Sequence, residues 1–133
     1  MDFFNYTSDL AGRPVPVTIK HPVTGADTNV VISVVGLDSP AAQACLDSQQ
    51  ARRFNALADN PEQAKVNVFD PEAARADLVE LLVACTVEWK NLEWQGDALE
   101  FNPGNAAFIY QKVPAIREQL NRFVGNRKNF FKD

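Results

Sequence analysis

The hydrophobic pattern first becomes regular at Val15-Pro16-Val17-Thr18-Ile19-Lys20, where Val15, Val17 and Ile19 alternate with polar or proline positions, as in a strand buried on one face. Pro14 and Pro16 supply no ladder donor, which places this strand at a sheet edge. A turn-rich stretch, His21-Pro22-Val23-Thr24-Gly25-Ala26-Asp27, leads to Val30-Val31-Ile32-Ser33-Val34-Val35, a β-branched run bounded by Gly36. Together they predict an antiparallel hairpin. Two strands alone are marginal in water, so the Val15/Val17/Ile19 face is expected to lie on the helices that follow.

Helix starts are punctuated by one repeated device, a short polar residue followed by proline, at Ser39-Pro40, Asp70-Pro71 and Asn102-Pro103. The polar side chain can accept from a first-turn amide, and proline lacks the amide that would go unpaired. The first helix is expected over residues 40–58, with Ala41, Ala44, Cys45, Ala51, Phe54 and Ala58 near one face, although Gln49-Gln50 and Arg52-Arg53 make it largely polar. Asn60-Pro61 is suited to start a short extra turn. In the second helix Ala74, Leu78, Leu81, Leu82 and Cys85 fall at helical spacing, and Glu72 suits the positive end of the helix dipole. This is the expected central core helix.

Beyond Trp89 the period changes, with Leu92 and Trp94, then Leu99 and Phe101, on either side of Gln95-Gly96-Asp97-Ala98. A short second hairpin or a tight loop within 91–101 is expected. The third helix, over 103–112, turns Ala107, Phe108 and Tyr110 toward the core, and Val113-Pro114 interrupts it. A last helix from Pro114 carries Ile116, Leu120, Phe123 and Val124 as one stripe and stops at Gly125, a residue suited to the left-handed position past a helix end. The predicted fold is α+β and mainly helical: an N-terminal β-hairpin packed on about four helices, with one globular domain over 1–125 and a basic, aromatic C-terminal tail over 126–133.

A length of 133 residues fits a single domain, and 46% hydrophobic residues against 23% charged supply a core without staples. Cys45 and Cys85 spell neither a disulfide framework nor a metal site, so a reducing compartment is expected. No apolar run approaches membrane-spanning length, and Met1-Asp2-Phe3-Phe4-Asn5 is acidic where a signal peptide is basic. The expectation is a soluble, cytoplasmic chain with no membrane partner. Its net charge of −4 conceals a split: residues 112–133 hold six cations against two carboxylates, and the rest holds seven against fifteen. Such asymmetry can steer a chain toward an oppositely charged surface, its own neighbour included, and a solvated basic helix end gives the same count.

The chemistry-bearing residues are sparse. His21, the one histidine, sits in a turn beside proline, and no nucleophile motif, zinc spacing, EF-hand or glycine-rich phosphate cradle is present. Glu88, Glu93, Asp97 and Glu100 look like hairpin decoration. Neither enzymatic activity nor a cofactor or metal is expected. Trp89, Trp94, Phe101, Phe108 and Tyr110 flank the strongest helix and are expected in the core. Arg122, Phe123, Arg127, Lys128, Phe130 and Phe131 interleave cations with aromatics, which can hold single-stranded nucleic acid. A pI near 4.9 opposes that reading, so nucleic acid is not expected and the six are candidate protein-binding residues. Phe130 and Phe131 follow the last helix stop and either tuck back onto the domain or wait for a partner.

Several of these landmarks, taken in order, resemble tail assembly chaperones of long-tailed bacteriophages. They are Val34-Val35-Gly36-Leu37-Asp38-Ser39-Pro40, the helix ending Cys85-Thr86-Val87-Glu88-Trp89, the block Trp94-Gln95-Gly96-Asp97-Ala98-Leu99-Glu100-Phe101-Asn102, Asn105-Ala106 with Tyr110, Pro114-Ala115-Ile116-Arg117-Glu118-Gln119, and Arg127-Lys128-Asn129-Phe130. The similarity runs over nearly the whole chain and includes no catalytic signature. It implies a non-enzymatic assembly factor, made in the cytoplasm of a bacterial host carrying a phage or prophage, that binds the tape measure protein and keeps it soluble until tail tube subunits polymerise around it. In some members a frameshifted extension recruits the tail tube protein. Such a factor is absent from the mature virion. Masking a long client calls for many copies with weak, reversible self-association, and an acidic body with a basic aromatic end could stack head to tail. The alternative is a structural tail or head-to-tail connection protein retained in the virion.

Overall fold

The proline-led helix starts are built as their chemistry dictates. Ser39, Asp70 and Asn102 accept from the backbone amides of Ala42 (3.2 Å), Glu72 (3.0 Å) and Asn105 (2.7 Å). The structure, a computed structural model, describes residues 2–68 and 70–131. Its elements run α1 (Phe3–Ala11), β1 (Val15–Lys20), β2 (Asp27–Val34), α2 (Pro40–Asp59), α3 (Pro61–Val68), α4 (Pro71–Cys85), β3 (Thr86–Lys90), β4 (Glu93–Trp94), β5 (Asp97–Ala98), α5 (Pro103–Lys112) and α6 (Pro114–Val124), followed by a 3-10 turn at Arg127–Asn129. The fold is α+β and mainly helical, with the N-terminal hairpin packed on helices. Lys132 and Asp133, counted in the basic end, lie outside the described residues. Among the described residues no helix is long and apolar enough to cross a membrane.

Two elements depart from the expectation outright. The first is α1, ahead of the hairpin, whose first amides are capped by Asp2 and whose buried residues, among those described, are Leu10 and Ala11, too short a stripe to show a period. The second is β3. Helix α4 stops at Cys85, and residues 86–90 form a third strand beside β2, so the sheet order is β1-β2-β3, antiparallel throughout. β1 lies at one edge of the sheet, as its prolines require. The expected second hairpin is β4-β5, turned by Gln95 (φ 52°) and Gly96 (φ 89°), the left-handed pair a two-residue hairpin loop needs. The extra turn at Asn60-Pro61 is a full helix, α3.

The core lies between one sheet face and α4, α5 and α6. Val17, Ile19, Ile32 and Val34 of the sheet meet Val79, Leu82 and Cys85 of α4, Ala106, Ile109 and Tyr110 of α5, and Ile116, Leu120 and Val124 of α6. Gln119 fastens α6 to the free edge of β1, accepting from Lys20 N at 2.7 Å and donating to Lys20 O at 2.9 Å, so one side-chain amide replaces a neighbouring strand. His21 Nδ1 accepts from the amides of Val23 and Thr24, which settles the histidine in its turn.

Several expected core positions lie elsewhere. On α2, Ala41, Ala44, Ala51, Phe54 and Ala58 are exposed and Cys45 is half-buried, while Ala42 and Gln49 are the buried pair. The cause is that α2 meets α4 through polar contacts. Ala74 is exposed on α4, whereas Leu78 and Leu81 pack at the core margin. Phe108 is also exposed and packs edge-on against Trp94, with centroids 5.0 Å apart. Gly125 ends α6 in ordinary right-handed geometry, φ −72°.

A buried polar relay locks the helices to the sheet. Thr86 Oγ1 donates to Leu82 O at 2.7 Å, and a carbonyl can only accept, so the Tyr110 hydroxyl donates to Thr86 Oγ1, also at 2.7 Å. Thr86→Val leaves the Tyr110 O–H buried without an acceptor and should cost about 1–3 kcal/mol, more than the roughly 0.5–1.5 kcal/mol for Tyr110→Phe. Urea denaturation of both variants reads the difference.

Burial pushes the Cys85 thiol from 9.0 up to about 12, and pushes the Tyr110 phenol from 10.0 up to about 12 against a smaller, opposing effect of its contact with Thr86. Both groups are neutral when protonated and their folded values are raised. Their contribution to stability is therefore complete below pH 9 and lost as pH rises toward 12. Cys85→Ala should make the loss of stability above pH 9 shallower, leaving the part due to Tyr110, which sets in near pH 10, as followed by denaturant midpoints across the alkaline range.

Candidate protein-binding surfaces

The six candidate residues at the C-terminal end do not share one outward face. Phe130 is 5% exposed and packs edge-to-face on Phe123, with centroids 5.6 Å apart. Gly36 makes room for it: a Cβ there would stand 3.0 Å from Phe130 Cγ and 3.3 Å from Ala11 Cβ. Phe131 is half-buried, its ring tilted against Tyr6. Both phenylalanines therefore tuck back onto the domain.

Arg127 reaches Asp38 with two hydrogen bonds, Nε to Oδ2 at 2.7 Å and Nη2 to Oδ1 at 3.2 Å, and this contact raises the guanidinium above its ordinary value. Arg122 and Lys128 are exposed and make no ion pair among the described residues. Arg122 borders a shallow depression with Lys20, His21 and Phe123. Truncation at residue 126 would thus strip Phe130 from the core, whereas charge reversal at Arg122 or Lys128 probes the basic end without that damage.

A second surface, which the sequence pattern does not single out, lies where α2, α3 and the N-terminal half of α4 come together. Every residue of α2 from position 50 onward is exposed, including Phe54 at 72% and Leu57 at 47%. With Ala56, Ala64 and Ala73 these side chains line an open groove of about 480 Å³. A polar clamp holds α2 against α4 beside it. Gln49, 4% exposed, donates from Nε2 to Asp77 O at 2.8 Å and to Glu80 Oε1 at 3.2 Å. Arg52 pairs with Glu80 at 2.6 Å and Arg53 with Asp77 at 2.8 Å. Cys45 donates to Glu80 at 3.6 Å; its thiol is raised first by burial and then by that hydrogen bond.

The signal that could have found this groove is the pairing of Phe54 and Leu57, three positions apart, in a helix otherwise too polar to enter a core. Among the described residues no cluster of three or more His, Cys, Asp or Glu side chains is placed to hold a metal ion. Comparison with protein-family models, curated proteins and solved structures finds no match to the chain.

The two aromatic sites predict opposite responses to truncation. Phe130→Ala should cost about 3–5 kcal/mol by emptying a core position. Phe54→Ala should stay within about 0.5 kcal/mol of the parent, because it removes exposed surface. Chemical denaturation of the two variants side by side checks both values.

Proposed function

We propose that the chain is a tail assembly chaperone of a long-tailed phage or prophage. In this reading it acts by binding and catalyses no reaction. In the host cytoplasm it engages the long, helix-rich tape measure protein, covers its apolar stripes, and helps recruit tail tube subunits. It does not remain in the mature virion. Many copies would line one client, joined by weak self-contacts between the basic end and the acidic body.

The sequence landmarks support this family, and one structural observation carries the binding role: the groove between α2, α3 and α4, where Phe54 and Leu57 stand uncovered. An amphipathic helix docks by laying its apolar face into such a groove, which is how a helical client with an exposed stripe would be held.

Co-expression of the tagged chain with the long helical tape measure product, followed by affinity purification and sizing, tests the reading. Many copies recovered on one soluble client are expected, and replacing Phe54 and Leu57 together by Glu should cut client recovery at least tenfold. Recovery of the chain alone, with the client insoluble, would overturn the proposal. Its presence at fixed stoichiometry in purified particles would then assign it to the tail structure instead.

A further inference from the structure

The groove is lined by apolar side chains together with three cations. Arg52 and Arg53 stand on α2 and Lys65 on α3, so both helices contribute positive charge to the lining. Asp77 is the lone carboxylate among the described lining residues. This is a local inversion in a chain whose net charge is −4. We propose that the groove takes an amphipathic α-helix of a partner protein whose apolar stripe is flanked by carboxylates on both sides.

Three features carry the inference. Phe54 and Leu57 lie three residues apart on one helix, so they present apolar contacts about one turn apart. A partner helix offers its own anchors at the same spacing, every three or four positions. A space of about 480 Å³ fits the side chains of one stripe, and the lining cations then lie within reach of the flanks of the helix. There the charge decides. A basic flank would face Arg52, Arg53 and Lys65 across a partly desolvated contact, where like charges are costly.

An acidic flank meets Lys65, which makes no ion pair among the described residues, and two guanidiniums whose existing pairs with Glu80 and Asp77 are exposed and therefore weakly held. Each guanidinium carries five donors and can bind a second carboxylate or exchange the first.

The inference rests on the groove being the client-binding surface, and its test separates the two. Two synthetic helical peptides of about 20 residues, with the same leucine stripe and either Glu or Lys at the flanking positions, are titrated with the full chain by fluorescence anisotropy. The Glu-flanked peptide should bind at least tenfold tighter, and added salt should shrink that advantage. Lys65→Glu, which disturbs no described ion pair, should cut the preference at least threefold. Phe54→Asp should weaken both peptides at least tenfold while circular dichroism shows the fold intact.

Equal affinity for the two peptides, preference for the Lys-flanked one, or binding indifferent to Phe54→Asp would overturn the proposal. So would sedimentation in which Phe54→Asp abolishes self-association of a chain that binds neither peptide, since the occupant would then be a second copy. If the Phe54→Asp chain still solubilises the tape measure product, the groove proposal falls and the chaperone reading stands. If the parent chain discriminates between the peptides yet solubilises no client, the groove proposal stands and the chaperone reading falls.

Discussion

Everything in this fold is referred to one point, the loopless passage from α4 into β3 at Cys85 and Thr86. A helix that becomes a strand from one residue to the next has no slack, so the direction of α4 sets where β3 can meet β2. The joint is pinned from several sides: Val35 N donates to Cys85 O at 2.8 Å, Thr86 Oγ1 turns back to Leu82, and Tyr110 closes the relay from α5. Cys85 and Tyr110 are fully enclosed. With the C-terminal turns of α4 embedded, its N-terminal half stands clear of the sheet, and there α2 and α3 find their wall.

That second contact is built on different chemistry, which explains the groove. Had α2 packed on α4 with an apolar stripe, Phe54 and Leu57 would have had a core to enter. Instead the buried position at the interface is Gln49, whose amide must find partners once it leaves water, and Asp77 O and Glu80 supply them. A hydrogen-bonded amide fixes one orientation of the helix, whereas apolar contact tolerates many. Ion pairs from Arg52 and Arg53 extend the clamp on the exposed side. The remaining apolar residues of α2 are thereby held outward.

Much of the fold was legible because its signals are local. A polar cap followed by proline acts within four residues, and the helices begun at Ser39, Asp70 and Asn102 start where that chemistry demands. The edge position of β1 and the turn at Gln95-Gly96 are legible for the same reason. β3 was not, since Thr86-Val87-Glu88-Trp89 continues a helical run and becomes strand only because β2 offers an open edge far away in sequence. Nor could period alone place the aromatics. Phe54 occupies a face position on a helix and is exposed; Phe130 follows the last helix and is buried. What separates them is whether space exists, and for Phe130 it exists because residue 36 has no side chain.

The same reasoning decides between the two surfaces a partner could use. At the C-terminal end the aromatic surface is already committed within the chain: Phe130 to the core and to Phe123, Phe131 toward Tyr6, and Arg127 to Asp38. A partner there would meet Arg122 and Lys128 as solvated charges, which speed and orient encounter more than they hold. In the groove the balance is reversed, with apolar side chains uncovered and cations set beside them. Affinity needs surface that leaves water on binding, and selectivity needs charges close enough to that surface to lose some of their screening. Of these two surfaces the groove combines uncovered apolar side chains with adjacent cations among the described residues, which is the physical ground for placing the proposed partner there and not at the basic end.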